Sequence, residues 1–270
     1  MQWLRRLSQL FFFALFIYFV WKMHFLEEGE CPSIYNLFFN LDPLIFLLTF
    51  LSTWSIVGLS LLWIITIIVT VILGRVFCGW FCPFGAYHTF FTWLANYTKK
   101  KKDFQLRTTG HRFKYFFLFV FLGMSLFGAH WFGILDPFSF FYRTLTTGVF
   151  PAIQTGVEDL CNLIYQKDPH LLGFHLTYVT EPIYKFFRSH IFKMAQRSYY
   201  TEGTILFITL IVVTGLNFVR PRFWCRYICP LGGLLGLVSM KPILKLFNDE
   251  STCTNCRLCS KACPAGAQPD

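Results

Sequence analysis

Long apolar runs separated by short polar segments are the main pattern of this chain. Four runs, at 8–26, 52–73, 112–132 and 203–219, approach the about 20 residues that a helix needs to cross a bilayer. The first run is bulky and lacks a small-residue cleavage site, so we interpret it as an uncleaved anchor rather than a signal peptide. The pattern predicts an all-α membrane protein with about four transmembrane helices.

Two segments with the same order of features form an internal repeat. "NLDPLIFLLTF" (40–50) leads through the second run to "RVFCGWFCPFG" (75–85), and "ILDPFSFFYRTL" (134–145) leads through the fourth run to "RFWCRYICPLG" (222–232). Each copy therefore has a Leu-Asp-Pro on the outer side, a membrane helix, and an inner CxxxCP. Two pseudo-repeated halves around an axis along the membrane normal would bring the cysteine pairs together on one face.

The second copy carries an insertion at about 137–201. Its stretch "EPIYKFFRSHIFKMAQ" (181–196) has apolar residues at helical spacing, which predicts one or two amphipathic helices on the outer surface. After Lys241-Pro242 the chain becomes polar and rich in cysteine. We therefore divide it into a transmembrane domain over 1–240 and a small ferredoxin-type segment over 241–270.

Each Leu-Asp-Pro permits two interpretations. Pro43 and Pro137 are suited to the first turn of a helix, and Asp42 and Asp136 to its N-cap. The alternative is functional, with the two carboxylates lining a quinol site. We favour the pair of helix caps.

Composition and charge agree with a membrane location. Hydrophobic residues form 55% of the chain and charged residues 14%, whereas soluble proteins carry about 25% charged residues. The net charge of +10 does not indicate nucleic-acid binding, because the basic residues flank apolar runs. Most of the 24 Lys and Arg residues lie in 1–7, 74–114 and 220–270, which predicts a multi-pass protein of the cytoplasmic (inner) membrane with both termini and both CxxxCP pairs in the cytoplasm. The run "KKKK" (99–102) fits a topology anchor in contact with lipid headgroups.

The C-terminal cysteines carry the most specific motif. "CTNCRLCSKACP" (253–264) has the C-x2-C-x2-C-x3-C-P spacing of the bacterial [4Fe–4S] run. A zinc site usually has two CxxC pairs with a longer spacer, and disulfides are disfavoured on the reducing side of the membrane. This segment is therefore predicted to hold a [4Fe–4S] cluster.

The two CxxxCP pairs are less specific when each is taken alone. Two thiols at i and i+4 on one helix face are the structural alternative. Two copies, each followed by Pro and Gly, favour half-motifs that give two thiolates apiece to one shared cluster, with the proline ending the helix. Nearby arginines would offset the charge of the cluster: Arg75, Arg222 and Arg226.

The cysteine count gives two clusters. Eight of the ten cysteines lie in motifs, which suffices for two cubanes with four ligands each. The predicted cluster ligands are Cys78, Cys82, Cys225, Cys229, Cys253, Cys256, Cys259 and Cys263. One partition stays open, because the fourth cysteine of such a run ligates the other cluster in two-cluster ferredoxins. We favour the unswapped partition for Cys263.

The remaining candidate ligands have simpler interpretations. Cys31 and Cys161 fall on the outer side, as a disulfide or as two unrelated thiols. Four histidines lie near span ends and are expected to be polar interface residues rather than haem ligands: His24, His88, His111 and His130. We find no acid/base pair and no nucleophile typical of bond-making catalysis, so no catalytic residue is assigned.

At the level of whole motifs the chain resembles the membrane-bound 4Fe-4S polyferredoxins of the NapH/NosR type. The resemblance rests on "GRVFCGWFCPFGA" (74–86), "RPRFWCRYICPLGGLLG" (220–236) and the run at 253–264, and it extends over most of the chain. It implies an electron-transfer subunit or a quinol dehydrogenase component, which exchanges electrons between the quinone pool or a flavin-bearing partner and a redox partner.

One feature departs from this family. Its members usually carry two ferredoxin runs in tandem, whereas this sequence has one and ends in "AQPD". Either the native chain continues past Asp270 or the second run belongs to a partner. The number of clusters and the partner of Cys263 are open for this reason.

The leading hypothesis is a membrane-bound iron–sulfur electron-transfer protein with two [4Fe–4S] clusters and a quinone as carrier. Its expected partners are membrane lipid and a redox protein, which is a ferredoxin, a flavoprotein or a terminal reductase, with no nucleic acid. The alternative is an assembly factor or metal-ion reductase that serves oxidase or reductase maturation. A redox sensor or structural scaffold is a third interpretation.

The charge distribution makes the topology testable. Alkaline phosphatase fused after Gln196 should be active, because that position is predicted to be outside. The same enzyme fused after Lys102 should be inactive. High activity of the Lys102 fusion would contradict the inner position of both CxxxCP pairs.

Overall fold

The part of the chain that the computed structural model describes is mostly helical, as the sequence predicts. The described residues are 2–25, 33–54, 61–98, 112–128, 131–167, 170–171, 174–175, 182, 185 and 201–244. The ferredoxin run at 253–264, Cys31 and most of the predicted amphipathic stretch at 181–196 lie outside them.

The described residues form twelve α-helices, with short 3₁₀, π and β segments between them. In chain order they are α1 (Gln2–Phe25), a 3₁₀ turn (Ser33–Asn36), α2 (Leu37–Asn40), α3 (Pro43–Thr53), α4 (Leu62–Leu73), α5 (Phe77–Trp80), α6 (Pro83–Thr98), α7 (Phe113–Leu126), a 3₁₀ turn (Trp131–Ile134), α8 (Pro137–Arg143), a π-helix (Thr144–Val149), α9 (Phe150–Lys167), β1 (His170–Leu171), β2 (Phe174–His175), α10 (Thr201–Leu216), α11 (Phe223–Tyr227) and α12 (Pro230–Val238). The two strands pair antiparallel, His170 with His175 and Leu171 with Phe174.

The described residues of the four predicted spans are mostly helical, but the lengths of the helices differ from the expectation. Among the described residues, Trp3–Met23 is long and apolar enough by itself to cross a membrane. The segments Ile34–Asn40 and Pro43–Thr53 meet that criterion together, with a bend of 83° between them. The other apolar runs form shorter helices: Leu62–Leu73, Phe113–Leu126 and Thr201–Leu216.

The predicted run at 52–73 is broken rather than continuous. Helix α3 ends at Thr53, and Trp54 adopts a left-handed conformation with φ 51°. The next described helix, α4, begins at Leu62. A bulky residue at positive φ cannot continue a right-handed helix, so the break follows from the backbone at Trp54.

The Leu-Asp-Pro motifs form the helix starts that the sequence predicts. Asp42 caps α3 by accepting a hydrogen bond from the backbone N–H of Leu44 at 2.8 Å. Asp136 caps α8 in the same way, from the N–H of Ser139 at 2.9 Å. The following proline takes the first turn of each helix.

The start of the predicted outer insertion lies in the core, which differs from the expectation. Helix α8 carries Phe138, Phe140 and Phe141, and all three side chains are at most 2% exposed. Aromatic packing explains this position, because Phe140 stacks on Trp224 with ring centroids 5.2 Å apart and Phe141 stacks on Phe16 at 5.6 Å. Helix α9 is the amphipathic surface part of the insertion.

The two halves of the repeat pack reciprocally. The Leu-Asp-Pro helix of the first half, α3, contacts α12, which follows the CxxxC of the second half. The corresponding helix of the second half, α8, contacts α6, which follows the CxxxC of the first half. This exchange is the arrangement expected of two pseudo-repeated halves related by a two-fold axis.

A close backbone approach joins the insertion to α10. Gly203 faces the π-helix, and a Cβ at this position would overlap the carbonyl oxygen of Thr147. Gly148 makes the reverse approach, because a Cβ there would lie 3.1 Å from the carbonyl oxygen of Gly203. The absence of side chains at both positions therefore sets the distance between the two elements.

Gly203→Ala should lower the thermal unfolding midpoint of the detergent-solubilised protein. Overpacking at a backbone contact costs about 1–3 kcal/mol, which exceeds the about 1 kcal/mol that alanine gains over glycine in a helix. Gly215→Ala on the same helix is the matched control, because a Cβ there meets no atom within 4 Å, and it should keep or raise the midpoint. Equal midpoints for the two variants would contradict the close packing.

Candidate metal centre

The first cysteine pair lies across a break between two helices. Cys78 lies in the short helix α5, whereas Cys82 caps the following helix α6. The N–H of Gly85 donates to the Cys82 sulfur over 3.4 Å. Pro83 is the first residue of α6, so the proline both separates α5 from α6 and begins α6.

The second pair repeats this geometry. Cys225 lies in α11, and Cys229 caps α12 by accepting a hydrogen bond from the N–H of Gly232 at 3.2 Å. Pro230 is the first residue of α12. The alternative of two thiols on one helix face is therefore wrong for both pairs, since each pair bridges two helices.

A glycine three residues after the second cysteine allows a close backbone approach in each motif, and the approach is closest in the first motif. A Cβ at Gly85 would lie 2.6 Å from the carbonyl oxygen of Cys78. A Cβ at Gly232 would lie 3.3 Å from the carbonyl oxygen of Cys225. The turn thus folds back onto the first cysteine of its own motif, and the motif is better written CxxxCPxG.

The four cysteines line one cavity. Cys78, Cys82, Cys225 and Cys229 surround a space of about 120 Å³, together with the backbone of Gly79. Cys82 and Cys229 are buried, and Cys78 and Cys225 are partly buried. Two motifs far apart in the sequence are brought to one place.

Four basic side chains line the same cavity: Arg75, Lys114, Arg222 and Arg226. The three arginines belong to the cysteine motifs, and the sequence identified them as charge partners. Lys114 was missed as a site residue, because it begins the third apolar run and was counted only for topology. Its position at the N-terminal end of α7, 5% exposed, brings its charge to the thiols.

The two arginines that precede the motifs reach across to the opposite half. Arg222 donates from Nε to the Thr89 hydroxyl at 2.9 Å, and its backbone N–H donates to Thr92 at 3.2 Å. Arg75 donates from Nε to the Ser239 hydroxyl at 3.3 Å. Thr92 follows Cys82 by ten residues and Ser239 follows Cys229 by ten, so the two acceptors occupy equivalent positions in the repeat, although Thr92 accepts from the backbone of its arginine and Ser239 from the side chain. Each half therefore supplies an arginine that is held by the other half.

Burial keeps the thiols protonated when nothing neutralises them. It raises the pKa of all four cysteines, that of Cys78 to about 12. Cys225 adds to the rise in the pKa of Cys78, while Arg222, Arg75 and Lys114 oppose it. A metal centre would remove this penalty, because a thiolate bound to metal is stabilised by the positive charge of the metal.

The chemistry of the donor set suits an iron–sulfur cluster, because four thiols line one cavity together with basic side chains. A four-iron cluster binds each thiolate through a different iron, so its ligand sulfurs lie farther apart than those around one zinc. Four thiols around a small, positively lined cavity therefore fit a [4Fe–4S] cluster.

The aspartates of the Leu-Asp-Pro motifs meet next to this cavity. Asp42 and Asp136 are fully buried, and their carboxyl groups face each other within hydrogen-bonding reach. Pro137 lines the thiol cavity itself. The sequence predicted that these motifs lie on the face opposite the cysteines. That expectation is wrong, because the motifs lie beside the cysteines.

The structure also describes the surroundings of two other residues considered in the sequence analysis, His88 and Cys161. His88 is not an interface residue, because it is fully buried and its Nδ1 bonds the side-chain amide of Asn217. Cys161 is a free thiol on α9, as in the alternative of two unrelated thiols, and Cys31 lies outside the described residues. The predicted ligands Cys253, Cys256, Cys259 and Cys263 also lie outside them, so their role stays a prediction.

Two family models match the chain. A "4Fe-4S binding domain" model covers 54–102 and 202–246, which contain the two CxxxCP pairs. A second model, also described as "4Fe-4S binding domain", covers 247–268, which contains the C-terminal run. Each half of the internal repeat therefore matches the same model.

Curated relatives match most of the chain at low identity. An uncharacterized protein of Methanocaldococcus jannaschii is 28% identical over 74% of this chain and 56% of its own length. The ferredoxin-type protein NapH of Escherichia coli is 25% identical over 97% of this chain and 74% of its own length. The regulatory protein NosR of Pseudomonas aeruginosa is 26% identical over 92% of this chain, which spans only 26% of NosR. No solved structure matches the chain.

The caps beside the cavity can be tested through Asp136. Asp136→Asn should keep both the iron content and the unfolding midpoint, because an amide still caps a helix and also donates to Asp42. Asp136→Ala should lower the midpoint, since loss of an N-cap costs about 1 kcal/mol. Equal destabilisation by Asn and Ala would show that the carboxylate does more than cap α8.

Proposed function

Because the chain belongs to the NapH/NosR-type 4Fe-4S ferredoxin family, we propose that it is a membrane-embedded electron-transfer protein with two [4Fe–4S] clusters. In this proposal it passes electrons between the quinone pool, or a flavin-bearing partner, and a redox partner protein. The observation that carries it is the meeting of four cysteines and four basic side chains at one cavity.

The first cluster would be held by the cysteines of the two repeated motifs: Cys78, Cys82, Cys225 and Cys229. Such a cluster accepts and releases one electron at a time. The surrounding residues stabilise its negative charge, through the basic side chains and through the N–H groups of Gly85 and Gly232 that point at sulfur. Hydrogen bonds to sulfur and burial are the means by which a protein sets the reduction potential of a cluster.

The second cluster would be held by the C-terminal run: Cys253, Cys256, Cys259 and Cys263. The segment that leads to this run starts beside the first site. The N–H groups of Ile243 and Leu244 donate to the carbonyl oxygens of Val71 and Ile72 at 3.1 and 3.0 Å, at the end of α4. That end adjoins Arg75, so the proposed segment 241–270 begins near the wall of the first cavity.

A multi-pass position in the inner membrane, with both termini in the cytoplasm, is part of the proposal. Large apolar side chains on several helices point away from the core, such as Leu10 at 66%, Phe119 at 62% and Ile208 at 55% exposure. Lipid would cover these faces. The Lys and Arg residues at the cysteine ends of the helices support the inner side for the clusters.

The shared cluster can be tested by changing one cysteine in each half. The double variant Cys78→Ser and Cys225→Ser should lose one cluster and retain about four of the about eight irons expected per chain. Cys161→Ser is the matched control, because this free thiol lies on α9 and does not line the cavity. Iron content by colorimetry and EPR of the dithionite-reduced protein are the measurements. Full iron in the double variant would contradict the role of the CxxxCPxG cysteines.

A further inference from the structure

A second, larger cavity lies between α1 and α6. It has a volume of about 570 Å³, within the about 300–1,000 Å³ of small-molecule sites. Its lining includes the aromatic rings of Phe13, Phe91 and Trp93. The polar groups in this wall come from Gln9, Tyr87 and Thr89, with Arg5 and Arg6 nearer the chain start.

Two hydrogen bonds connect this cavity to the thiol cavity. Gln9 lines the large cavity and donates from Nε2 to the carbonyl oxygen of Gly79 at 2.6 Å, and Gly79 lines the thiol cavity. Thr89 also lines the large cavity and accepts from Nε of Arg222, which lines the thiol cavity. At two places, therefore, the wall between the cavities consists of one hydrogen-bonded pair of residues.

The composition of this wall indicates the chemical class of the ligand. Aromatic rings contributed by both helices suit a planar, apolar ring, and a few separate polar groups suit oxygen atoms on that ring. The cavity also opens along exposed apolar residues, among them Leu10 and Phe90, which would accommodate an apolar tail. A phospholipid shares the tail and an affinity for the arginines, but it has no planar ring for the aromatic wall.

We propose that the cavity between α1 and α6 binds the ring of a quinone or quinol, separated from the thiol cavity by hydrogen-bonded pairs of residues. This inference rests on the proposed electron-transfer function and names the site of its small-molecule partner. Oxidation of the quinol releases two electrons and two protons and leaves the quinone, and reduction takes up the same number. An iron–sulfur centre held by the four cysteines would exchange these electrons one at a time, so a redox partner protein would take or supply the first before the second moves. The protons leave to water at the cavity opening.

Blocking the cavity from its open side tests the proposal. Leu10→Trp places a bulky ring in the opening, and it changes an exposed side chain rather than the core. Leu7→Trp is the matched control, because Leu7 is similarly exposed on α1 but does not line the cavity. In the holoprotein, Leu10→Trp should slow cluster reduction by decylubiquinol by about tenfold or more, a loss of about 1.4 kcal/mol in binding. Equal rates for Leu10→Trp and Leu7→Trp would overturn the proposal.

Two further measurements separate the sources of failure. Dithionite should reduce the clusters equally in both variants, and an absence of any reducible cluster in the unmodified protein would instead overturn the proposed function. A photoreactive azido-quinone should label peptides of α1 and α6, with competition by decylubiquinone and none by phosphatidylglycerol. Competition by phosphatidylglycerol alone would assign the cavity to a lipid headgroup and would overturn the quinone proposal.

Discussion

The electrostatic cost of four buried thiols at one cavity is the constraint on which the rest of the structure depends. A thiolate in an apolar interior is strongly disfavoured, and four together repel one another. The site opposes this cost with four basic side chains and with N–H groups directed at two of the sulfurs. Both devices are built into the motif itself, through an arginine three residues before the first cysteine and a glycine three residues after the second.

The repeat explains why the cavity forms at all. Each motif supplies two cysteines and an arginine, and each arginine is held by a hydroxyl of the other half. The cavity therefore has its full charge balance only when the halves are packed together. The set of four cysteines is therefore completed when the two halves pack together. The insertion of the second half does not disturb it, because α8 packs in the core through its rings while α9 extends along the surface.

Sequence reasoning was most successful where a residue has a single local role. The CxxxCP spacing, the caps at Asp42 and Asp136, and the arginines near the cysteines all follow from motif geometry and charge. Sequence reasoning failed for residues whose position is determined by tertiary packing. Helix α8 is buried because its phenylalanines fit between α1 and α11, and Lys114 reaches the cavity because α7 begins there. The periodicity of the sequence shows neither fact. The glycine after each cysteine pair had a usable signal, since it occurs at the same offset in both copies.

The same symmetry that gathers the cysteines also sets two carboxyl groups face to face. Asp42 and Asp136 occupy equivalent positions in the halves, so a two-fold arrangement places them together just as it does the thiols. Around the thiols, the basic side chains offset the repulsion between negatively charged sulfur atoms. Around the aspartates the bonding partners are backbone N–H groups at the helix starts, which can stabilise one negative charge far better than two. The arrangement therefore favours one proton shared between the two carboxyl groups. In that state one carboxyl donates a hydrogen bond to the other, and each still caps its helix.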